Sequence, residues 1–279
     1  MYSASPLVSV EWLVQNLDDP KLILLDASMD KVVGMTPLVY EQPCFIPGAR
    51  QCDLENRFID SNSSLPHTLP SETVFTQQAQ ALGINTDSVI VIYDNQGIYA
   101  APRAWWMFRI MGHEQVYVLD GGLPEWQRQG HATGSVLTIA SQQGNIQGCF
   151  QAQRVCSCEQ LLSKLEVPTT QIVDARSQAR FYGQAPEPRA GLRGGHIPGS
   201  INLPFLDLMQ GHRFAAASIL AEKFAASGVR PNTRLVFSCG SGITACIVLL
   251  AAAIAEYQSL CLYDASWSEW GANHRLPIN

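Results

Sequence analysis

Two similar α/β halves in tandem, each a mainly parallel sheet flanked by helices, form the fold that this sequence predicts. Three observations predict it. The chain resembles itself at a domain-sized spacing, strand-like apolar runs alternate with helical stretches in both halves, and a segment rich in Gly, Gln, Ser and Thr stands between them.

The internal repeat has four matches in the same order. Leu24-Leu25-Asp26-Ala27 returns as Ile172-Val173-Asp174-Ala175, and Phe45-Ile46-Pro47-Gly48-Ala49 returns as His196-Ile197-Pro198-Gly199-Ser200. Val89-Ile90-Val91-Ile92-Tyr93-Asp94 returns as Arg234-Leu235-Val236-Phe237-Ser238-Cys239, and the stretch from Leu119-Asp120 to Glu125-Trp126 returns between Tyr263-Asp264 and Glu269-Trp270. The offsets, 148, 151, 145 and 144, drift only as loop insertions make them drift. A period near 145 describes a duplicated domain and not a solenoid.

Along the first half, Ser9 is placed to cap a helix that opens with Glu11, Trp12 and Leu13. The short apolar runs at 22–26, 89–93 and 115–119 predict strands, and 72–82 and 98–111 predict helices. The segment from about 130 to 155 reads as a linker, which gives domains at 1–135 and 155–279 joined by 136–154. The second half repeats the alternation, with strands at 171–174, 234–238 and 259–263 and helices at 157–165, 216–227 and 243–255.

Composition narrows the function. A chain of 279 residues with 47% hydrophobic and 15% charged content builds a packed core, in one large domain or two modest ones. A net charge of −6 argues against nucleic acid or an anionic membrane as a partner. No apolar run approaches the roughly 20 residues of a membrane span. The N-terminus has no basic region and no cleavage pattern, so a cytoplasmic chain with reduced thiols is expected. Cys156 and Cys158 form a lone C-x-C with no partners at metal-ligand spacing, so no metal is expected.

One loop is built for chemistry. Cys239 ends an apolar strand and is followed by Gly240-Ser241-Gly242-Ile243-Thr244-Ala245 and an apolar helix. In open α/β sheets, ligands bind beyond the carboxyl ends of strands. Two glycines let the loop curl and aim N–H groups of a helix N-terminus at one point. A thiolate or persulfide on Cys239 is the anion that such a loop holds. Ser241 and Thr244 add hydroxyl donors, whereas Cys246, two helical turns on, reads as structural. The first half carries Asp94 at the equivalent position, and a carboxylate carries no transferable sulfur.

The Cys239–Ala245 loop resembles the active-site loop of tandem rhodanese-like sulfurtransferases, and its Gly-Ser-Gly form is similar to the branch that uses 3-mercaptopyruvate. The resemblance extends over nearly the whole chain, through Ala101-Pro102-Arg103-Ala104-Trp105-Trp106, Leu119-Asp120-Gly121-Gly122 and 263–271, with Ala265 where a glycine is common. It implies that Arg180 and Arg189, in the segment 180–189, hold the substrate. Paired guanidiniums suit the carboxylate and carbonyl of a small α-keto acid. It also implies that His67, in a first-half loop, meets Ser241, with Glu55 or else Asp53 orienting it in a proton relay. Gly240, Gly242, Ile243 and Thr244 complete the expected pocket.

The reaction so implied is sulfur transfer from 3-mercaptopyruvate through a Cys239 persulfide to a thiol acceptor such as thioredoxin, or to cyanide, with pyruvate released and no cofactor needed. Thiosulfate-specific relatives have basic residues at the two positions after the cysteine; here they are Gly240 and Ser241. A phosphatase loop needs an arginine six residues after the cysteine, where this chain has Ala245. A noncatalytic alternative is a persulfide carrier or redox-sensing module. Arg193 is expected to be solvated, His196 to serve a structural turn, and Trp105, Trp106, Trp267 and Trp270 to anchor the core or the domain interface.

Overall fold

The computed structural model describes residues 5–279, so the reading of the first four residues as free of a leader lies outside them. The first half contains β1 (Leu7–Val8), α1 (Val10–Asn16), β2 (Leu22–Asp26), β3 (Arg50–Gln51), α2 (Glu72–Ala81), β4 (Val89–Tyr93), α3 (Ala101–Ile110), β5 (Val116–Leu119) and α4 (Gly122–Arg128). Its strands form one parallel sheet in the order β1-β5-β4-β2-β3.

The second half contains β6 (Val155–Cys156), α5 (Cys158–Leu162), β7 (Thr170–Asp174), α6 (Gln178–Phe181), β8 (Ile201–Asn202), β9 (Met209–Gln210), β10 (Arg213–Phe214), α7 (Ala217–Ala226), β11 (Arg234–Ser238), α8 (Ile243–Ile254), β12 (Leu260–Tyr263) and α9 (Ser266–Trp270). Its parallel sheet runs β6-β12-β11-β7-β8, the same order once the repeat is aligned, and β9 and β10 add a small antiparallel ribbon.

The central strands read as unbroken apolar runs because helices cover both faces of a parallel sheet. All five residues of β4 are buried, as are four of the five in β11. Ser9 caps α1 by accepting the Trp12 N–H at 3.2 Å, as the sequence predicts. Ser157 caps α5 in a reciprocal capping box with Gln160. Helix α8, ITACIVLLAAAI, is apolar nearly all round because it packs against its own sheet on one side and α3 on the other. Through α3 and α8 the two halves share one continuous core, while each sheet keeps a separate cluster on its far face.

The segment 136–154 is no free tether. Thr138, Gly144, Ile146, Cys149 and Gln151 each donate a backbone N–H to a carbonyl of the first half, and the chain crosses that half before β6 begins. Arg193 corrects an expectation. It is not solvated but donates to the carbonyls of Trp270, Gly271, Asn273 and Leu276 at 2.6–3.1 Å, which fastens the C-terminal tail. His196 is structural as expected: it stacks on Phe181 at 3.8 Å. The four tryptophans named above are all buried.

Candidate active site

Cys239 follows the last residue of β11, at the carboxyl end of the central strand of its sheet, and α8 begins at Ile243. The Gly242 N–H donates to Cys239 Sγ at 3.1 Å. The loop is pinned from behind. The Cys239 N–H donates to Ser266 Oγ at 3.1 Å, and the Ser268 N–H and hydroxyl both donate to the Gly240 carbonyl, at 2.9 and 2.6 Å. Gly242 turns the chain at φ +82°, and a Cβ there would lie 2.6 Å from the Asp264 carbonyl oxygen, so no other residue fits. Cys246 is buried and donates to the Gly242 carbonyl at 3.3 Å, and burial pushes its thiol up to about 12, which fits the structural reading.

A cleft of ≈ 300 Å³ opens above Cys239 between the two halves. Cys239, Gly240, Ser241, Ile243, Thr244, Arg180, Arg189, His67 and Glu55 all line it, so the fold brings nine of the ten residues singled out from the sequence to one place. Gly242, the tenth, stands behind the sulfur. Thr244 makes no hydrogen bond to Cys239 Sγ.

The two arginines are held differently. Arg180 Nη2 donates to Glu187 Oε2 at 2.5 Å, and the same carboxylate accepts from Arg176 Nη1 at 2.8 Å. Arg176 is itself fully buried, ion-paired with Asp174 at 2.8 Å and laid over the Trp267 ring at 4.2 Å. This chain of alternating charges fixes Arg180. Arg189 has no carboxylate partner among the described residues; its Nη2 donates to Ser241 Oγ at 3.4 Å. Arg189 therefore brings a largely uncompensated positive charge to the cleft. Gly240 is the floor beneath both: a Cβ there would lie 3.1 Å from Arg180 Nη2 and 3.8 Å from Arg189 Nη1.

His67 reaches the cleft from the first half, and its Nδ1 lies 3.1 Å from Ser241 Oγ. Its backbone sits at φ +57°, a left-handed conformation that costs a non-glycine residue energy and persists only when neighbours impose it. Arg103 imposes it by donating from Nη2 to the His67 carbonyl at 2.5 Å, while Nη1 pairs with Asp264 at 2.6 Å. Burial lowers His67 to about 4, with the Arg103 and Arg189 charges adding to the effect, so its imidazole is neutral at ordinary pH.

Neither of the carboxylates expected to orient His67 is hydrogen-bonded to it among the described residues. Glu55 lines the cleft, but its Oε2 accepts the Asp30 N–H at 2.8 Å and not a proton from His67. Asp53 is engaged by the Glu55 and Asn56 N–H groups. Glu55 is engaged by the loop between β2 and β3 and Asp53 by the N–H groups just after it, while His67 is held through its carbonyl. Sequence reasoning missed Arg176, Glu187 and the Arg103–Asp264 pair. Glu187 lay between the two arginines already singled out, and its alternation of sign with them was the available signal.

The first half repeats the loop with Asp94 in place of the cysteine. The fully buried carboxylate accepts N–H groups from Gln96 at 2.9 Å and from Tyr99, Ala100 and Ala101 at 2.8 Å each. The anion cradle is thus kept and filled by the chain's own carboxylate. Among the described residues no group of three or more His, Cys, Asp or Glu side chains is placed to hold a metal, and all eight cysteines are unpaired. No helix among them is long and apolar enough to cross a membrane.

Known proteins resemble this chain throughout. The family described as Rhodanese-like domain matches residues 9–129 and 157–273. A 3-mercaptopyruvate sulfurtransferase of Escherichia coli K12 is 37% identical over 282 residues, which span 99% of this chain and 98% of that one. A mitochondrial thiosulfate/3-mercaptopyruvate sulfurtransferase of Arabidopsis thaliana is 39% identical over 298 residues, spanning 99% of this chain and 78% of the relative. The crystal structure of SseA from Escherichia coli superposes with a TM-score of 0.84 at 35% identity, covering 95% of this chain and 99% of that one.

Proposed function

The chain belongs to the rhodanese-like family, as two such domains in tandem, and from that premise we propose that it is a sulfurtransferase whose sulfur donor is 3-mercaptopyruvate. The observation that carries this reading is the cleft itself: a thiol with an N–H on its sulfur lies beside two guanidiniums over a bare glycine floor.

The donor's carboxylate and carbonyl face Arg180 and Arg189, and its sulfur faces Cys239. The Cys239 thiolate attacks that sulfur. The carbon–sulfur bond breaks, and its electron pair departs with pyruvate as the enolate, which takes up a proton. Neutral His67 and the Ser241 hydroxyl form the path that delivers it. Glu55 sits at the cleft wall, outside this path. Cys239 then carries the outer sulfur as a persulfide, and the Gly242 N–H and the start of α8 stabilise the negative charge. A thiol acceptor, of which thioredoxin is one example, removes that sulfur and returns the thiolate.

The assignment also covers the domain limits, 1–135 and 155–279 with 136–154 between them, the second domain carrying the sulfur. A cytoplasmic setting completes the proposal, and eight unpaired cysteines support a reducing compartment. The experiment is transfer to cyanide with 3-mercaptopyruvate and thiosulfate in competition, beside Cys239→Ser. Preference for mercaptopyruvate, abolished in Cys239→Ser, is the expected result. Preference for thiosulfate overturns the donor, and no transfer from either favours a carrier.

A further inference from the structure

The opposite side of the molecule holds a larger cavity. It occupies ≈ 540 Å³ between the two halves, where Val116, Arg234 and Leu260 begin β5, β11 and β12. Cys239 follows the other end of β11, so the length of a five-residue strand, roughly 16 Å, separates this cavity from the sulfur.

Its charged lining is Arg109, Arg154, Arg234 and one carboxylate, Glu114. Glu114 is shared, lying 2.6 Å from Arg109 and 2.5 Å from Arg154. Three guanidiniums against one carboxylate leave two positive charges uncompensated, in a chain whose net charge is −6. Partly buried charge without a counter-charge is costly.

Two of the three arginines are laid over tryptophan rings. Arg109 lies over the Trp105 ring at 5.3 Å and Arg154 over the Trp106 ring at 5.7 Å. Stacking uses the faces of a guanidinium and leaves its N–H edges for oxygen; some of these edges are already engaged, Arg154 Nη1 with the Arg109 carbonyl at 2.7 Å and Arg234 Nη2 with the Gln153 carbonyl at 3.0 Å and Cys261 Sγ at 3.2 Å. Three buried N–H groups on this lining have no acceptor among the described residues: Trp106 Nε1, Arg109 Nε and Arg234 Nε. Trp106 is only 4% exposed. Buried donors in folded proteins are nearly always partnered, so three orphans around one cavity point to an acceptor that the described residues do not supply.

We propose that this cavity binds a small oxyanion of the sulfate or phosphate class. Arg109 grips it from the first half, Arg154 from the connecting segment and Arg234 from the second half. The outer guanidinium edges meet it first, and a turn of the terminal side-chain torsions brings the Nε groups to its oxygens. Because the grip spans both halves, the anion binds the docked arrangement and stabilises it by mass action.

Inorganic sulfate is the probe, titrated into the full-length chain by calorimetry and thermal unfolding, with chloride holding the ionic strength constant. The catalytic cleft is also cationic, so Arg189→Gln is titrated in parallel. The expected result is one saturable site, half-filled at or below about 1 mM, that survives in Arg189→Gln. Arg234→Gln weakens it about tenfold or more, since charge-assisted hydrogen bonds are lost. Glu114→Gln tightens it, because the carboxylate competing for two arginines is gone, and a folding defect produces no such gain. Sulfate binding that disappears in Arg189→Gln and is unchanged in Arg234→Gln belongs to the cleft and overturns the proposal. So does the lack of any saturable binding.

Discussion

Asp264 of the second half pairs with Arg103 of the first at 2.6 Å, and its other oxygen accepts the Leu69 N–H at 2.8 Å. Its counterpart in the repeat, Asp120, pairs with Arg213 of the second half at 2.8 Å and accepts the Phe214 N–H at 3.2 Å. Each half therefore reaches over to grip a loop of the other. One gripped loop carries His67 over the Cys239 loop; the other carries His212, whose carbonyl lies 2.6 Å from where a Cβ on Gly97 would sit, beside the Asp94 loop. The two clamps differ in depth. Arg103 is 4% exposed in its side chain and Arg213 is 49% exposed.

The buried clamp holds the loop that carries His67, a member of the proposed relay, and the exposed one does not. Arg103→Gln leaves Asp264 without its counter-charge and removes the brace on the His67 carbonyl. We expect kcat to fall about tenfold or more with a smaller change in KM, and stability to fall by about 3–5 kcal/mol. Arg213→Gln, at an exposed pair, should cost roughly 1 kcal/mol or less and leave turnover unchanged. Steady-state kinetics and urea unfolding on both variants test this; equal effects at the two clamps would defeat it.

The protonation of His67 gives a pH prediction with a definite sign. The ring is lowered from 6.5 to about 4 by burial first and by Arg103 and Arg189 next. Between those values the unfolded chain holds a proton on this residue that the folded chain lacks. The stability contribution is therefore complete above about 6.5 and is lost as the pH falls toward about 4. Activity should show no inflection from His67 near neutral pH. An NMR titration of the ring carbons should place its midpoint near 4, and Arg189→Gln should move it upward. A midpoint near 6.5 in the parent chain refutes the argument.

Much of this organisation is legible in the sequence, and the reason lies in range. The strands β2, β4, β5, β7, β11 and β12 announce themselves as apolar runs because both their faces are covered. The two-residue edge strands, such as β3 (Arg50–Gln51) and β8 (Ile201–Asn202), carry no apolar periodicity and exist only through pairing with β2 and β7. The predicted helix over 98–111 begins at Ala101 because residues 99 and 100 turn their N–H groups on Asp94. Cys239, Arg180 and Arg189 stand out because a loop motif is local. The Arg103–Asp264 pair joins residues from opposite halves and has no local signature. Glu55 was placed on His67 by resemblance alone, and its Oε2 accepts the Asp30 N–H, a contact across 25 residues that no local pattern announces.

Asp94 tests whether the cradle of the first half is structural. Burial pushes its carboxyl up, and the four N–H groups that converge on it oppose that shift. Asp94→Asn keeps the shape but turns one acceptor into a donor facing N–H groups. We expect a loss of about 1–3 kcal/mol in denaturant unfolding, with sulfur transfer by the folded enzyme retained. Sulfur transfer that falls in proportion to lost charge at Asp94, with stability unchanged, would show that the first loop acts in the reaction.

Gly240 separates binding from folding, because its Cβ would meet the arginines and not the backbone. Its backbone does not lie in the left-handed region, so alanine adopts the same conformation without strain, and fewer unfolded conformations then favour the folded chain slightly. The added Cβ, however, lies 3.1 Å from Arg180 Nη2 and intrudes on the space proposed for the substrate carboxylate between the two guanidiniums. Arg180 cannot retreat freely, because Glu187 holds it at 2.5 Å. Gly240→Ala should therefore raise KM for 3-mercaptopyruvate several-fold, change kcat less, and leave the unfolding midpoint unchanged or higher. If KM is unaffected, the substrate does not sit between Gly240 and the two arginines. If the midpoint falls instead, glycine is present for the backbone and not for the substrate.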